Sequence, residues 1–192
     1  MVASKKNGIS QELSTKKAIL QTLRAEGFVV APKKRAIKKG HLRHGEVKIY
    51  HGYTIKKDGK LKGYLFSQRE MFDYWIPGLN WRTLADTGMN DMRPDFAIYW
   101  IEERSLRVIE SKRQDGQGTA YEKLGAGPFR LRQIMNRAKI AGITDVKLSY
   151  YCNDWLYSKL ESYDNGYILE YLIGEGITCH TGHIPFEVIM PL

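Results

Sequence analysis

The sequence has few cysteines and few prolines, and it contains no long apolar run. Its two cysteines, Cys152 and Cys179, are far apart and form no CxxC pair, so we expect a reducing compartment and no disulfide framework. Six prolines and an apolar fraction of 43% argue against general disorder and for one well-packed core. No run approaches the roughly 18 apolar residues of a membrane span, and no apolar stretch follows the first lysines. We therefore expect a cytoplasmic protein with no secretory signal and no membrane partner.

Acidic residues are outnumbered by basic ones. The chain has 30 Lys and Arg against 21 Asp and Glu, a formal net charge of +9. An excess of this size suggests a polyanionic partner, although composition alone does not separate DNA from RNA or an anionic membrane.

Basic side chains are densest around residues 31–46, where apolar residues are few. Because like charges at this density repel one another, we expect an exposed loop or arm. Such an arm would contact phosphates without distinguishing base sequence, and a nuclear-import signal would have the same composition. The residues expected to contact DNA here are Lys33, Lys34, Arg35, Lys38, Lys39 and Arg43.

A β-hairpin is predicted in the middle of the chain. Two apolar runs rich in aromatic and β-branched residues, Phe96 to Ile101 and Leu106 to Ile109, flank a short polar break. Two such runs with a break of this length are typical of two paired strands.

The charged residues of this segment lie at the open end of the predicted hairpin. Asp95 precedes the first strand, and Glu110 and Lys112 end the second. Alternate residues of a strand point to the same face, so Glu110 and Lys112 should project together while Ser111 points away. If the open ends pair, Asp95 lies beside them.

Two carboxylates and an ammonium suit metal-assisted hydrolysis of a phosphodiester. Two carboxylates can hold Mg²⁺, which keeps several waters and takes phosphate oxygens as further ligands. The metal makes a bound water more acidic, and a neighbouring lysine can orient that water or stabilise charge on the phosphate. Pro94-Asp95, a 14-residue gap and Glu110-Ser111-Lys112 together resemble the signature of the PD-(D/E)XK nucleases. That superfamily includes most type II restriction endonucleases, with resolvases, repair nickases and some homing endonucleases.

The resemblance implies a fold, a cofactor and a set of site residues. It implies an α/β restriction-endonuclease-like core, with a mixed β-sheet flanked by helices, and Mg²⁺ as the cofactor. Asp95, Glu110 and the backbone carbonyl of Ser111 would bind the metal, and Lys112 would complete the catalytic set. Water would attack in line and leave a 5′-phosphate and a 3′-hydroxyl. Further candidates are Gln114, as a phosphate or base contact, and Glu12, Glu70 and Asp73, as additional carboxylates.

The segments before the hairpin fit the same core. Residues 9–26 have near-helical apolar spacing and precede Gly27, a plausible helix stop. Strand-like runs at 47–55 and 61–66 flank an Asp-Gly pair, which predicts a tight turn.

After the hairpin, Pro128 opens a predicted amphipathic helix that ends at Gly142. Phe129, Ile134, Met135 and Ala138 should face the core, and the polar side should carry the DNA contacts Arg130, Arg132 and Arg137. A strand follows at 145–151. The order helix, strands, hairpin, helix, strand is that of the common core of the superfamily.

We expect one nuclease domain over residues 1–192, with the resemblance covering roughly 9–151 and a C-terminal extension at 152–192. The extension should contain two helical pieces broken near Asn165-Gly166 and a short strand from Phe186 to Met190. The histidine pairs in HLRHG and HTGH leave a zinc site as a minor alternative, although no CxxC accompanies them.

Within the superfamily, the sequence favours a type II restriction endonuclease that cuts double-stranded DNA. The aromatic-rich C-terminal third and the basic segment exceed what a minimal resolvase core needs. Such an enzyme would act as a homodimer, or in a heteromer with a recognition subunit. The alternatives are a homing endonuclease, a nickase or catalytic subunit, and a junction resolvase. A DNA-binding module without cleavage is the alternative from a different class.

Overall fold

The computed structural model describes residues 2–38, 47–67, 94–116, 119–162 and 165–191, and the side chains of these residues except 2–9, 34–38 and 47–51. The described residues form an α/β structure with one seven-stranded mixed sheet flanked by helices. This confirms the expected α/β class. No helix in these ranges is long and apolar enough to cross a membrane.

The helices and strands of the described residues are, in chain order, α1 (Val2–Ala25), β1 (Val29–Lys38), β2 (Val47–Lys57), β3 (Lys60–Ser67), β4 (Phe96–Trp100), β5 (Ser105–Lys112), α2 (Ala120–Gly125), α3 (Gly127–Ile140), β6 (Asp145–Cys152), α4 (Asp154–Leu160), α5 (Gly166–Gly174), β7 (Thr178–His180) and α6 (Phe186–Ile189).

The strands lie in the sheet in their order along the chain. Strands β1 to β5 pair antiparallel, whereas β5, β6 and β7 run parallel. A parallel pair needs a crossover connection, which α2 and α3 supply between β5 and β6. The sheet is therefore an antiparallel meander that is continued by two parallel strands.

The predicted first helix and first hairpin are confirmed. Helix α1 is followed by Gly27 at φ +81°, a left-handed conformation that glycine adopts without steric cost. Asp58 and Gly59, which join β2 to β3, both have positive φ. Asp-Gly favours a two-residue hairpin because the backbone twist of such a turn matches the twist of the two strands that it joins.

The expectation that the basic segment is a loop is wrong for residues 31–38. They belong to β1, which pairs with β2 from Val29↔Lys56 to Lys38↔Val47. Among the described strands β1 lies at the edge of the sheet. Lysines are common on edge strands because they remain solvated and discourage further pairing. Residues 39–46 lie outside the described residues.

Apolar side chains pack on both faces of the sheet. On one face, Ile19 and Leu23 of α1 pack with Ile98 and Trp100 of β4. On the other, residues of helices α2 to α5 pack against Leu106, Val108 and Leu148. The alternation along each strand thus fixes which side chains of β4 and β5 face each layer.

Helix α3 is confirmed, but its buried side differs from the predicted one. Ile134 and Ala138 are buried as expected, whereas Phe129 and Met135 are 66% and 47% exposed. Arg137, expected on the solvent side, is buried with 7% exposure. At about 100° per residue, positions 135 and 137 lie on opposite flanks of the face formed by Ile134 and Ala138, and the flank that carries Arg137 is the buried one.

The C-terminal residues are part of the sheet and of both apolar layers. The two predicted helical pieces are α4 and α5, but the predicted strand from Phe186 to Met190 is wrong, because Phe186–Ile189 is a helical turn. The last strand is instead β7, which pairs parallel to β6. Leu156 and Leu172 pack on one layer and Ile189 on the other, so the described residues of the C-terminal segment contribute to both layers of the core.

Candidate active site

The predicted hairpin is formed by β4 and β5, which pair antiparallel with Phe96 opposite Ile109. Asp95 lies one residue before Phe96, and Glu110 lies one residue after Ile109. The register therefore places Asp95 level with Glu110 at the open end of the hairpin, as the sequence predicted.

Asp95 is joined to the second strand by a hydrogen bond. The backbone N–H of Ser111 donates to Asp95 Oδ2 over 2.8 Å, and the Asp95 side chain is partly buried. The contact fixes one carboxylate oxygen beside the centre of the Glu110-Ser111-Lys112 triplet.

Glu110 is an almost fully buried carboxylate, with 3% of its side chain exposed. Lys112 Nζ donates to its Oε2 over 2.9 Å. Burial is the largest effect on the pKa of Glu110 and raises it. The positive charges of Lys112 and Arg130 lower this pKa, and the negative charge of Asp95 raises it further. The net rise in the pKa shows that burial outweighs the cations in this environment.

The Lys112 ammonium lies between the carboxylate and an aromatic ring. Besides Glu110, Nζ donates to the carbonyl oxygen of Ser111 over 3.3 Å, and it lies 5.4 Å from the centre of the Tyr150 ring. Glu110 and Lys112 thus project to the same face of the sheet, which confirms the expected alternation.

Ser111 points to the opposite face, where α1 packs. Its hydroxyl lies 2.6 Å from that of Thr15, and Gln11 Nε2 donates to the carbonyl of Tyr151 over 3.4 Å. Glu12, one of the expected carboxylates, is partly buried on the same part of α1. The middle of α1 is therefore held against the ends of β5 and β6 near the triplet.

A second cation reaches Glu110 from α3. Arg130 Nη2 lies 3.0 Å from Glu110 Oε1, but Oε1 has no hydrogen bond within the described residues. The guanidinium thus makes a close charge contact whose N–H bonds are not directed at the oxygen. The sequence predicted Arg130 only as a DNA contact. Its contact with Glu110 is a feature of the site that the sequence analysis missed.

Tyr150 faces the same buried carboxylate from β6. It lies opposite Glu110 in the parallel register, and its hydroxyl is buried without a hydrogen-bond partner among the described residues. Burial, and then the charge of Glu110, raise the pKa of the Tyr150 hydroxyl, which therefore stays protonated. No sequence signal links residues 110 and 150, because only the register of β5 with β6 brings them together.

Gln114 and Asn153 hold the chain as it leaves β5. The Gln114 side-chain amide donates to the Gly116 carbonyl over 2.7 Å and accepts the Ala120 N–H over 2.9 Å, at the start of α2. Asn153 Oδ1 accepts the Gln114 backbone N–H over 3.0 Å. The Gln114 side chain thus orders this loop, and its contact with a phosphate or base stays a prediction.

The basic residues expected to contact DNA are spread over several environments. Lys33 and Arg132 are exposed, Arg130 has 25% of its side chain exposed, and Arg137 is buried. Burial lowers the pKa of Arg137 and removes it from the solvent-facing surface of α3. The side chains of the remaining predicted DNA contacts lie outside the described ones, and these residues are Lys34, Arg35, Lys38, Lys39 and Arg43. The expected carboxylates Glu70 and Asp73 also lie outside the described residues.

Glu110 Oε1 is the atom that best fits a metal ion. It is a buried acceptor without a hydrogen bond within the described residues, level with a second carboxylate on Asp95. In the part of the chain that is described, no three His, Cys, Asp or Glu side chains are grouped to hold a metal. His180, the first histidine of HTGH, has its Nε2 atom 2.9 Å from Thr178 Oγ1. Two carboxylates suffice for Mg²⁺, because waters and substrate oxygens supply its other ligands.

The arrangement thus combines two carboxylates, an ammonium and a guanidinium at one end of the sheet, on residues from β5, α3 and the segment before β4.

Comparison with known proteins finds no matching family model, no matching curated protein and no matching solved structure.

Proposed function

We propose that this chain is a Mg²⁺-dependent endonuclease of the PD-(D/E)XK type that hydrolyses phosphodiester bonds in double-stranded DNA. The observation that carries the proposal is the convergence of Asp95, Glu110 and Lys112 at the open end of the β4–β5 hairpin. Buried carboxylates seldom occur without a function or a partner, and Glu110 retains an oxygen without a hydrogen bond among the described residues.

Each residue of the set has a role that its geometry allows. Asp95 and Glu110 would bind the metal, together with the carbonyl oxygen of Ser111, toward which Lys112 Nζ is already directed. Mg²⁺, when bound, supplies Lewis-acid stabilisation of the phosphate and lowers the pKa of a bound water. Lys112 would orient the attacking water or stabilise charge on a phosphate oxygen, because its ammonium is fixed by Glu110 and Ser111.

The order of structural elements also supports this assignment. Helix α1, the antiparallel strands β3 to β5, helix α3 and the parallel strand β6 follow one another in the order expected for the superfamily core. The proposed metal ligands lie at the strand ends of this core.

Charge supports DNA as the substrate. A net charge of +9 favours association with a polyanion, and the exposed side chains of Lys33 and Arg132 are available for phosphate contacts. Among DNA endonucleases we favour a type II restriction enzyme. It would act as a homodimer, one site per strand, or with a separate recognition subunit.

The proposal is tested by incubating the purified protein with phage and plasmid DNA, in Mg²⁺ and in EDTA, and separating the products on a gel. Discrete Mg²⁺-dependent bands would support site-specific cleavage. Asp95→Asn should lower the cleavage rate by about a hundredfold or more, since metal binding contributes several kcal/mol at about 1.4 kcal/mol per tenfold.

Asp115→Asn is the matched control for Asp95→Asn. Asp115 is a partly exposed carboxylate that pairs with Arg113, also partly exposed, beyond the end of β5. The same chemical change there should leave the cleavage rate within about threefold, as expected for a surface ion pair of small energy. An equal loss in both variants would argue against Asp95 as a metal ligand.

Other products would favour the alternatives. A nicked circle alone would indicate a nickase or an absent partner subunit. Preference for four-way junctions over linear duplex would indicate a resolvase. DNA binding without metal-dependent cleavage of any of these substrates would contradict the proposal and leave a DNA-binding module.

A further inference from the structure

Arg130 reaches the buried Glu110 from a helix that is held very close to the sheet. A Cβ atom at Gly127, where α3 begins, would lie 3.0 Å from Tyr150 Oη and 3.1 Å from Ile177 Cδ1. Any side chain at this position would require these neighbouring side chains to shift, so glycine favours the close approach. Arg130, in the first turn of the same helix, is therefore brought beside Glu110 by the packing of the backbone.

The two cations at Glu110 are held differently. Lys112 donates a hydrogen bond of 2.9 Å to Oε2 and a second to the Ser111 carbonyl, and its side chain is 11% exposed. Among the described residues Arg130 makes a charge contact of 3.0 Å with Oε1 but no hydrogen bond to it, and 25% of its side chain is exposed. Arg130 is thus the more weakly held of the two, and part of it is open to solvent.

The oxygen beside Arg130 is also the one that best fits the metal. Oε1 of Glu110 has no hydrogen bond within the described residues, so a cation that takes it breaks none there. A guanidinium and a divalent cation that lie against the same oxygen atom repel each other strongly, because both are positively charged and only a few ångströms apart. Binding of the metal to Oε1 therefore favours movement of Arg130 away from this oxygen.

We propose that Arg130 exchanges partners during the reaction. Without metal it is the counter-ion of Glu110, and with metal on Glu110 it turns to a phosphate oxygen of the DNA. The planar guanidinium offers a fork of N–H donors that matches two phosphate oxygens, a geometry that an ammonium does not provide. This inference rests on the proposed nuclease function and makes Arg130 a substrate-binding residue of the same site.

Metal affinity without DNA is the first measurement. Titration calorimetry with Mg²⁺ on the DNA-free protein should show Arg130→Gln binding the metal about tenfold more tightly than the wild type, because a competing charge is removed. Arg132→Gln removes the same charge two residues further along α3 from an exposed position, and its Mg²⁺ affinity should be unchanged. Equal affinities in wild type and Arg130→Gln would overturn the exchange.

The second measurement is the affinity for DNA, from the fluorescence anisotropy of a labelled duplex in EDTA and in Ca²⁺. Ca²⁺ is used because, like Mg²⁺, it binds oxygen ligands. The wild type should gain affinity when Ca²⁺ is added, and Arg130→Gln should lose most of that gain, about tenfold, as expected for a charge-assisted hydrogen bond. Arg132→Gln should lose affinity equally in both conditions. A gain in Arg130→Gln as large as in the wild type would overturn the proposal.

Arg130→Lys guards against a variant that is merely misfolded. It keeps the charge beside Glu110 but lacks the fork, so its Mg²⁺ affinity should stay close to that of the wild type while its Ca²⁺-dependent gain in DNA affinity falls. Failure of the underlying function would look different, because a wild-type protein that binds no Mg²⁺ would contradict the proposed nuclease itself. Mg²⁺ binding by the wild type with an unchanged Arg130→Gln would contradict the exchange alone.

Discussion

The hydroxyl of Thr15 on α1 lies 2.6 Å from the hydroxyl of Ser111, the middle residue of the Glu110-Ser111-Lys112 triplet. The contact joins the helix on one face of the sheet to the strand that carries the proposed catalytic residues on the other. Thr15 is fully buried, and its hydroxyl also lies within hydrogen-bonding distance, 2.9 Å, of the Gln11 carbonyl oxygen. Helix α1 thus helps to fix the end of β5, where the Ser111 carbonyl would serve as a metal ligand.

Thr15→Val should therefore lower the rate of DNA cleavage. Valine keeps the shape of threonine but removes the hydroxyl, which leaves the Ser111 hydroxyl without this contact and costs about 1 kcal/mol of unfolding free energy. We expect a several-fold lower cleavage rate in Mg²⁺, measured on a plasmid substrate, alongside urea denaturation for stability.

Thr22→Val is the control for Thr15→Val. Thr22 lies on the same helix and donates a hydrogen bond of 2.7 Å to the Ile184 carbonyl, away from the triplet. Its loss should cost a similar unfolding free energy without slowing cleavage. If both variants cleave at the same rate, the Thr15–Ser111 contact has no part in placing the site.

The local geometry of the candidate site was accessible from the sequence because it depends on strand periodicity alone. Alternation along β5 places Glu110 and Lys112 on one face, and the short polar break before Ser105 sets the pairing that brings Asp95 level with Glu110. The Asp58-Gly59 turn was likewise predictable, because both residues need positive φ and few pairs tolerate it.

The rest of the site depends on packing between distant elements, which carries no local signal. Tyr150 meets Glu110 through the register of two parallel strands, Arg130 through the close approach of α3, and Thr15 through the packing of α1. In β1 the repulsion among lysines and arginines indicated a loop, but pairing with β2 over its whole length holds these residues in a strand at the edge of the described sheet.

Glu110→Gln should change how stability depends on pH. Burial raises the pKa of Glu110, so the folded protein binds this proton more tightly than the unfolded chain does. The resulting stability is fully present below the pKa of the unfolded chain and is lost as pH rises through the raised pKa of the folded protein. The glutamine variant lacks this loss, so its stability relative to the wild type should be greater at pH 8 than at pH 5.

The measurement is urea denaturation of both proteins between pH 5 and pH 8, with and without Mg²⁺. Mg²⁺ should stabilise the wild type at pH 8 by an amount that grows with the logarithm of the Mg²⁺ concentration once this exceeds the dissociation constant, and it should have little effect on Glu110→Gln. Glu122→Gln, on an exposed position of α2, makes the same chemical change outside the site and should show neither effect. A stability difference between Glu110→Gln and the wild type that is the same at both pH values would contradict the prediction.

Gly63→Ala should destabilise the fold by about 2 to 3 kcal/mol, as expected for overpacking. A Cβ atom at Gly63 would lie 2.5 Å from the carbonyl oxygen of Tyr99 and 3.3 Å from Trp100 Cε3, so the β3–β4 pair would have to separate. Gly52→Ala, in β2, is the control, because the nearest atom that its Cβ would meet among the described residues is 3.5 Å away. Urea denaturation of both variants checks this, and similar midpoints would contradict it.

Breaking the ion pair between Arg107 and Asp145 should destabilise the fold more when Asp145 is removed than when Arg107 is removed. Only 1% of the Arg107 side chain is exposed, whereas 42% of the Asp145 side chain is exposed. Arg107 donates hydrogen bonds to Asp145 Oδ2 over 2.5 Å and to the Met190 carbonyl over 3.1 Å. Asp145→Ala leaves a buried guanidinium without its carboxylate and should cost about 2 kcal/mol, less than for a fully buried pair because Asp145 is partly solvated. Arg107→Met instead removes the buried charge, fills the space with an apolar chain and leaves an exposed carboxylate, so it should cost about 1 kcal/mol, chiefly from the unpaired Met190 carbonyl.

The double variant distinguishes this asymmetry from simple additivity. Once Arg107 is methionine, Asp145→Ala removes only a surface carboxylate, so the double variant should be about as stable as Arg107→Met alone, with a coupling energy of about 2 kcal/mol. Chemical denaturation of the four proteins of this cycle gives the coupling directly. A double variant whose loss equals the sum of the two single losses would show that Asp145 stabilises the fold independently of Arg107, and that the buried guanidinium is satisfied by the carbonyls of Leu106 and Met190 alone.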